Sequence, residues 1–122
     1  MAKILVVDDS ETARVQVKID LIEAGHDVLE AENGIKGLEA LNANKDIKLI
    51  ICDVNMPEMD GLTMCDEVAA NTELNKIPII MLTTQCSDEM KARGKKSGVV
   101  AWINKPHKAA PLISGIQKIL SR

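Results

Sequence analysis

Four short apolar segments of this sequence end in polar side chains that could take part in chemistry. These side chains belong to Asp8-Asp9, Asp53, Thr83-Thr84 and Asn104-Lys105-Pro106. If the segments are parallel strands of one sheet, their carboxyl ends lie together at the same end of that sheet. Three carboxylates within ~5 Å of one another repel by about 3 kcal/mol per pair at an effective dielectric constant near 20. Such a cluster therefore requires a cation beside it.

The surplus of negative charge predicts a magnesium site. Lys105 supplies one fixed positive charge against three carboxylates, and the remaining deficit suits a hard divalent ion with oxygen ligands. We expect Asp8 and Asp9 to hold Mg²⁺ beside Asp53. Asn55 follows Asp53 closely enough for its backbone carbonyl to complete the coordination.

A magnesium ion next to a strand-end carboxylate favours phosphoryl chemistry, in which a protein mainly positions groups and neutralises charge. Asp53 is the candidate nucleophile, because a carboxylate can form an acyl phosphate. We expect Lys105 to act as a point charge on one phosphoryl oxygen and the Thr83 hydroxyl to donate to another. Pro57 and Gly61 are expected to shape the loop that follows the nucleophile.

Each of these residues also has a plainer structural explanation when it is taken alone. Asp8, Asp9 and Ser10 could simply cap a helix, and Asp53 could form a turn. Threonine is common within strands, and Lys105 could be a solvated strand end. The chemical interpretation is favoured because all these side chains are expected at the same end of one sheet.

The alternation of apolar and helical segments predicts an α/β fold. Five short segments rich in β-branched residues alternate with stretches of helical length. They comprise residues 4–7, 27–31, 49–52, 79–82 and 99–103. Because crossovers between parallel strands are right-handed, we predict a flavodoxin-like (βα)5 doubly wound parallel sheet with strand order 2-1-3-4-5. No repeat or linker divides the chain, so we expect a single domain over residues 1–122.

The stretches between the strands carry apolar residues at helical spacing. Ala13, Val17 and Leu21 lie four residues apart, and Gly25 is expected to end that helix. Further helices are predicted around residues 35–41, 64–68, 87–97 and 112–120.

The composition is that of an ordinary globular protein. Of the 122 residues, 46% are hydrophobic and 27% are charged, and no apolar run approaches the ~18 residues of a membrane span. The first residues lack the pattern of a secretory signal, so we expect a cytoplasmic protein. A formal net charge of -3 argues against binding nucleic acid. The scattered Cys52, Cys65 and Cys86 are expected to be buried free thiols rather than disulfides or zinc ligands.

Four motifs resemble the receiver domain of bacterial two-component response regulators. They are "DDS" at residues 8–10, "DVNMPEMDG" at 53–61, "IIMLTT" at 79–84 and "WINKP" at 102–106. The resemblance covers essentially the entire chain. With no output domain after the last helix, the sequence is similar to stand-alone receivers of the chemotaxis type.

The resemblance implies that Asp53 takes a phosphoryl group from a phosphohistidine on a CheA-like sensor histidine kinase, and that the chain is a phosphoacceptor rather than an enzyme acting on other substrates. The implied magnesium ligands are Asp8, Asp9, Asp53 and the carbonyl of Asn55. Thr83 and Lys105 would bind the phosphoryl group. The Lys105-Pro106 bond would be a cis peptide that aims the lysine into the pocket.

The same resemblance implies a switch. Phosphorylation would draw the Thr83 hydroxyl toward the phosphoryl group, and an aromatic side chain would then rotate inward. Receivers usually have Tyr or Phe at that position, and this chain has Trp102, which could instead be simply packed. The face formed by helix 4, strand 5 and helix 5 would bind a partner such as the flagellar motor switch protein. Its basic residues, which could equally be a solvated surface, are Lys91, Arg93, Lys95 and Lys96. We expect a monomer.

One position departs from the family pattern, and two others are expected to modulate the reaction. His107 stands where receivers commonly have Phe, and we expect it to be exposed without a role, with a pH-sensitive contact as the alternative. Gln85 and Asn55 border the route of the attacking water in this family, so both should affect the lifetime of the acyl phosphate.

Three other functions remain open. A single-domain phosphorelay or regulatory receiver unconnected with flagella fits the same motifs. A magnesium phosphatase of the haloacid-dehalogenase kind would need an Asp-x-Asp motif and a cap region, whereas this chain has adjacent Asp8 and Asp9 and no room for a cap. A flavodoxin-like carrier of flavin or nucleotide would need aromatic residues around the ring, but Phe and Tyr are absent.

Overall fold

The computed structural model describes residues 2–122, which form one five-stranded parallel sheet and five helices in strict alternation. In chain order the elements are β1 (Lys3–Val7), α1 (Glu11–Glu23), β2 (Asp27–Ala31), α2 (Gly34–Ala43), β3 (Ile47–Cys52), α3 (Gly61–Ala70), β4 (Ile79–Thr83), α4 (Asp88–Lys96), β5 (Val99–Asn104) and α5 (Ala109–Leu120). The strand order is β2-β1-β3-β4-β5 and every strand pair is parallel. The predicted fold and strand order are confirmed.

The central strands β1, β3 and β4 are apolar apart from Lys3, Lys48 and Thr83, because helices cover both faces of the sheet. Side chains alternate between the faces along a strand. In β1, Leu5 and Val7 join the core beneath α2, α3 and α4, whereas Ile4 and Val6 join the core beneath α1 and α5. The sheet thus separates two apolar layers, and it leaves the strand ends as the place for polar chemistry.

Capping side chains fix where the helices begin at the carboxyl end of the sheet. The N-cap side chain accepts a hydrogen bond from a backbone N–H three residues later in four helices. The caps are Ser10, Asn33, Asp60 and Ser87. At the opposite end, Gly25 and Gly98 follow α1 and α4 with φ of 93° and 94°, the left-handed conformation that ends many helices.

The cysteines differ in their environments. Cys52 and Cys65 are buried, as predicted, and the hydrogen bond to Cys65 together with burial raises the pKa of the Cys52 thiol. Cys86 is exposed, so the expectation of burial is wrong there, because the residue lies in the loop between β4 and α4. All three are free thiols. Within residues 2–122, no helix combines the length and the apolar character needed to cross a membrane.

Candidate functional site

Backbone hydrogen bonds extend the strand pairing by one residue and thereby align the polar strand ends. The Asp8 N–H donates to the last residue of β2, and the Asp53 N–H donates to the last residue of β1, each over 3.0 Å. The Lys105 N–H donates to the last residue of β4, also over 3.0 Å. The first polar residue after each strand is therefore held as rigidly as the sheet itself.

The Lys105 ammonium joins two of the carboxylates. Its Nζ lies 2.7 Å from Asp8 Oδ2 and 2.7 Å from Asp53 Oδ2. The two carboxylate side chains are only 6% and 9% exposed, so charge-assisted bonds of this kind are strong. Burial by itself lowers the pKa of Lys105, but the bonds to Asp53 and Asp8 outweigh it, and the net pKa is raised. The lysine is therefore a permanent cation.

The three acidic side chains form one cluster. Carboxylate oxygens of Asp8, Asp9 and Asp53 all lie within 4.8 Å of one another. Asp8 Oδ1 accepts from a backbone N–H at 2.9 Å and Asp53 Oδ1 from another at 2.6 Å, whereas Asp9 is exposed. Three carboxylates and one ammonium leave two negative charges. Hard oxygen donors with that charge fit a divalent cation such as Mg²⁺.

The loop after Asp53 closes tightly against the site. A side chain at Gly61 would collide with the Asp53 carbonyl, which explains the glycine. Glu58 adopts a left-handed conformation with φ of 68°. Asn55 is exposed and lines, with Asp9 and neighbouring loop residues, an open depression of about 530 Å³. The loop therefore brings Asn55 to the same open depression as Asp9.

Thr83 completes the polar end of the sheet. The side chain is fully buried, and its Oγ1 accepts a hydrogen bond from the Gln85 N–H at 3.2 Å. Because the oxygen only accepts in this bond, the hydroxyl proton remains available to donate to another group. The Lys105-Pro106 peptide is cis, as the resemblance implied.

Comparison with known proteins identifies the family. The model of the response regulator receiver domain matches residues 4–117. The chain belongs to this family. The chemotaxis protein CheY1 of Helicobacter pylori strain J99 is 43% identical over 97% of this chain and 96% of its own length. The CheY homolog of Campylobacter jejuni strain 81-176 is 41% identical over 97% of this chain and 92% of its own length.

A solved structure agrees with this receiver in its fold. The chemotaxis protein CheY4 of Vibrio cholerae superposes with a TM-score of 0.92 at 38% identity, over 98% of this chain and 99% of that one. This receiver is therefore similar to chemotaxis receivers over nearly its whole described length. The family match also favours a receiver over the dehalogenase-type phosphatase and the flavin carrier.

Trp102 of the receiver is half-buried and hydrogen-bonded. Its indole Nε1–H donates to the Gln85 carbonyl at 2.7 Å. A Cβ at Gly94 of α4 would lie 3.0 Å from Cζ3 of the indole. Sequence reasoning named Trp102 and Gln85 but missed the bond between them and missed Gly94. A glycine in the interior of a helix, where it costs stability, was the available signal.

The expectation that His107 is exposed is wrong. Its Nε2 lies 2.6 Å from Asp20 Oδ2, and the two side chains are 9% and 10% exposed. The contact joins the start of the β5–α5 loop to α1. Sequence reasoning could not find it, because the partners are 87 residues apart.

The basic residues of α4 are all exposed, as expected for a surface. Arg93 forms a bond of 2.7 Å with Asp66 of α3, and the Ser97 hydroxyl donates to the same carboxylate. Lys91, Lys95 and Lys96 are exposed on α4, the helix whose Gly94 lies against the Trp102 indole. The face of α4, β5 and α5 therefore keeps a positive surface beside an aromatic side chain.

Proposed function

We propose that this receiver accepts a phosphoryl group on Asp53 from a sensor histidine kinase in a reaction that depends on Mg²⁺. The observation that carries the proposal is the Lys105 ammonium, which lies 2.7 Å from both Asp8 and Asp53 within the acidic cluster. A structural salt bridge needs one carboxylate for each lysine, whereas this cluster holds three. The excess negative charge suits a cation together with the atoms of a transferring phosphoryl group.

Asp53 is the nucleophile in the proposed reaction. A carboxylate oxygen forms a bond to phosphorus while the P–N bond of the donor phosphohistidine breaks, and its electron pair stays on the imidazole nitrogen. Lys105, already beside Asp53, binds a phosphoryl oxygen as negative charge moves onto that group. When bound, Mg²⁺ neutralises charge on the phosphoryl oxygens. Asp8, Asp9, Asp53 and the carbonyl of Asn55 would hold it.

We propose that the same pocket also allows the phosphoryl group to be removed by hydrolysis. Water attacks phosphorus and the bond to Asp53 breaks, which restores the carboxylate and releases inorganic phosphate. Asn55 lines the open depression beside Asp9, and we propose that the side chains of Asn55 and Gln85 set the rate of this hydrolysis. No substrate other than the chain itself is required, and in this sense the receiver is a signalling protein rather than an enzyme.

The output of the proposed switch is the face of α4, β5 and α5. A phosphoryl oxygen would draw the Thr83 hydroxyl, and the change would reach Trp102 and the basic surface of α4. An acidic segment of a partner protein fits this surface. Since the relatives are chemotaxis proteins, we propose a CheA-like kinase as the donor and the flagellar motor switch protein as the target, for a monomeric receiver in the cytoplasm.

Phosphoryl transfer can be tested with acetyl phosphate as a small donor. We expect wild-type protein to gain the mass of one phosphoryl group in the presence of Mg²⁺ and to remain unmodified with a chelator. Asp53→Asn should remain unmodified in both conditions. Asp46→Asn, a matched change in an exposed acid outside the cluster, should behave as wild type.

Modification that persists in Asp53→Asn, or that is independent of a divalent ion, would refute the proposed acceptor. The choice of target needs a separate experiment with purified flagellar motor switch protein. Binding that requires phosphorylation supports the motor assignment. Absent or phosphorylation-independent binding supports a phosphorelay or regulatory receiver instead.

A further inference from the structure

Arg14 of α1 reaches back to the turn that carries two of the acidic residues. Its Nη1 donates a hydrogen bond to the backbone carbonyl of Asp8 at 2.7 Å. Asp8 precedes the N-cap of α1, so this carbonyl lies outside the hydrogen-bonding pattern of the helix. The arginine side chain is only 16% exposed. A largely buried guanidinium therefore holds the backbone at the start of the acidic cluster.

The guanidinium is itself held from the other side by Glu30 of β2. Arg14 Nε donates to Glu30 Oε1 at 3.0 Å, and Lys18 Nζ lies 3.0 Å from the other oxygen of the same carboxylate. A planar guanidinium donates through several N–H groups in fixed directions. Because Nε is fixed on Glu30, Nη1 is directed at the Asp8 carbonyl. The strand β2 thus restrains the turn after β1 through a side chain of α1.

The bond fixes the peptide unit between Asp8 and Asp9. A peptide unit is planar, so a bond that holds its carbonyl oxygen also restrains the N–H and Cα of the next residue. The Asp8 side chain is already restrained by Lys105 at 2.7 Å and by the Ser10 N–H at 2.9 Å. Asp9 is exposed, so burial does not restrain its side chain. The placement of the Asp9 carboxylate therefore depends on the backbone that carries it.

We propose that Arg14 is a positioning residue for the magnesium site, which acts by holding the Asp8-Asp9 peptide unit and with it the backbone of Asp9. The inference rests on the proposed function, in which these two acids hold Mg²⁺, and it adds a residue that does not touch the ion. Loss of an outer partner that orients a metal ligand typically weakens metal binding by about 10–100-fold. Arg14 holds a backbone oxygen rather than a ligand atom, so we expect an effect at the lower limit.

The charge of Arg14 has the opposite effect on metal binding, which makes the proposal easy to refute. A cation near the acidic cluster repels Mg²⁺, so removing the charge by itself would tighten metal binding. Loss of the positioning bond would weaken it. Lys18 provides a matched control, because it lies on the same helix and pairs with the same carboxylate of Glu30. Its ammonium bonds to that carboxylate, whereas the Arg14 guanidinium bonds to both the carboxylate and the Asp8 carbonyl.

The first experiment is an NMR titration of wild type and variants with magnesium chloride. Dispersed backbone amide signals show that a variant is folded, and their shifts during the titration give the dissociation constant for Mg²⁺. We expect Arg14→Met to raise this constant by about tenfold, and Lys18→Met to change it by less than about twofold, as for a partly solvated pair. An unchanged or lower constant in Arg14→Met would overturn the proposal, and so would an equal increase in Lys18→Met.

A second variant separates the fixed directions of the guanidinium from its charge. Arg14→Lys keeps the positive charge but cannot donate to Glu30 and to the Asp8 carbonyl in the same fixed geometry. We expect it to raise the dissociation constant as well. A wild-type constant in Arg14→Lys would show that the charge is sufficient, which contradicts the proposal. This variant also provides the test if Arg14→Met does not give a dispersed spectrum.

The second experiment detects the hydrogen bond in metal-free protein. The resonance of a backbone carbonyl carbon moves upfield when the oxygen loses a hydrogen bond. We expect this movement for the Asp8 carbonyl in Arg14→Met and no movement in Lys18→Met. An Asp8 resonance that stays at its wild-type position in Arg14→Met would show that the guanidinium does not hold this carbonyl and would overturn the proposal.

The outcomes distinguish this inference from the proposed function. If wild-type protein binds no Mg²⁺, the magnesium site fails and the positioning role of Arg14 fails with it. If wild type binds Mg²⁺ and Arg14→Met binds it at least as tightly, the proposed function stands and the inference alone is overturned.

Discussion

Lys105 is the residue on which the charge balance of the site depends. Its raised pKa reflects bonds to Asp53 and Asp8 that outweigh the opposing effect of burial. A raised folded-state pKa stabilises the protein fully below the unfolded value near 10.5, and this contribution is lost as the pH rises through the folded value. The lysine therefore contributes its full stabilisation near neutral pH.

Replacing the lysine tests this charge balance. Lys105→Met keeps most of the apolar side chain but leaves Asp8 and Asp53 buried without a cation. We expect the metal-free variant to lose about 1–3 kcal/mol of unfolding free energy near pH 7, measured by urea denaturation, because buried charged groups lose their partner. Lys36→Met, which breaks an exposed pair with Glu32, should lose no more than about 0.5 kcal/mol. Equal losses would show that the lysine is not a structural counter-ion.

At the scale of elements, the strands could be predicted more fully than the contacts between helices. The segment at residues 27–31 matches β2 at both ends, and residues 79–82 match β4 except for Thr83. Central strands such as β4 are recognisable because almost every side chain is buried and apolar. The helix from Ser87 to Ser97 was also expected, and the structure places Ser87 as its cap.

The candidate site was predictable for a similar reason, since residues that follow parallel strands must meet. The strand order alone is enough to predict that Asp8, Asp53 and Lys105 lie together. The contacts that the sequence did not indicate depend on how helices and loops pack across the sheet. His107 with Asp20, and Trp102 with the Gln85 carbonyl, are examples. Neither has a periodic pattern or a local motif that would predict it.

A pH-dependent contact joins α1 to the edge strand β2. Glu30 accepts from Lys18 at 3.0 Å and from Arg14 at 3.0 Å. The bond to Lys18 is the main cause that lowers the pKa of Glu30 below 4.5, with burial opposing and Arg14 adding to the effect. A lowered pKa gives stability that is present above the unfolded value and lost as the pH falls through the folded value.

Glu30→Gln should therefore destabilise the protein in a pH-dependent way. We expect a loss of about 0.5–1 kcal/mol near pH 7, since the pairs are partly solvated. The difference from wild type should shrink as the pH falls below 4.5. Urea denaturation across this range measures it, and Glu32→Gln serves as the control because its pair is more exposed. A difference that stays constant with pH would exclude the ionised pair as its cause.

At the scale of the whole molecule, folding forces the acidic cluster together. In the unfolded chain Asp8 and Asp53 are 45 residues apart (53 minus 8), so their repulsion is small. In the folded chain the carboxylates lie within 4.8 Å of one another. The repulsion therefore opposes the folded state alone. A cation that binds only the folded state removes this opposition and stabilises the entire domain.

Removing one charge from the cluster should consequently have opposite effects with and without magnesium. We expect Asp9→Asn to be at least as stable as wild type in metal-free buffer, because repulsion is relieved. Mg²⁺ at a hundred times its dissociation constant should stabilise wild type by about 2.7 kcal/mol, and Asp9→Asn by clearly less at the same concentration. Thermal unfolding with and without Mg²⁺ measures both effects. Asp46→Asn, whose acid pairs with Lys3 outside the cluster, should keep the full response, and a full response in Asp9→Asn would place the cation elsewhere.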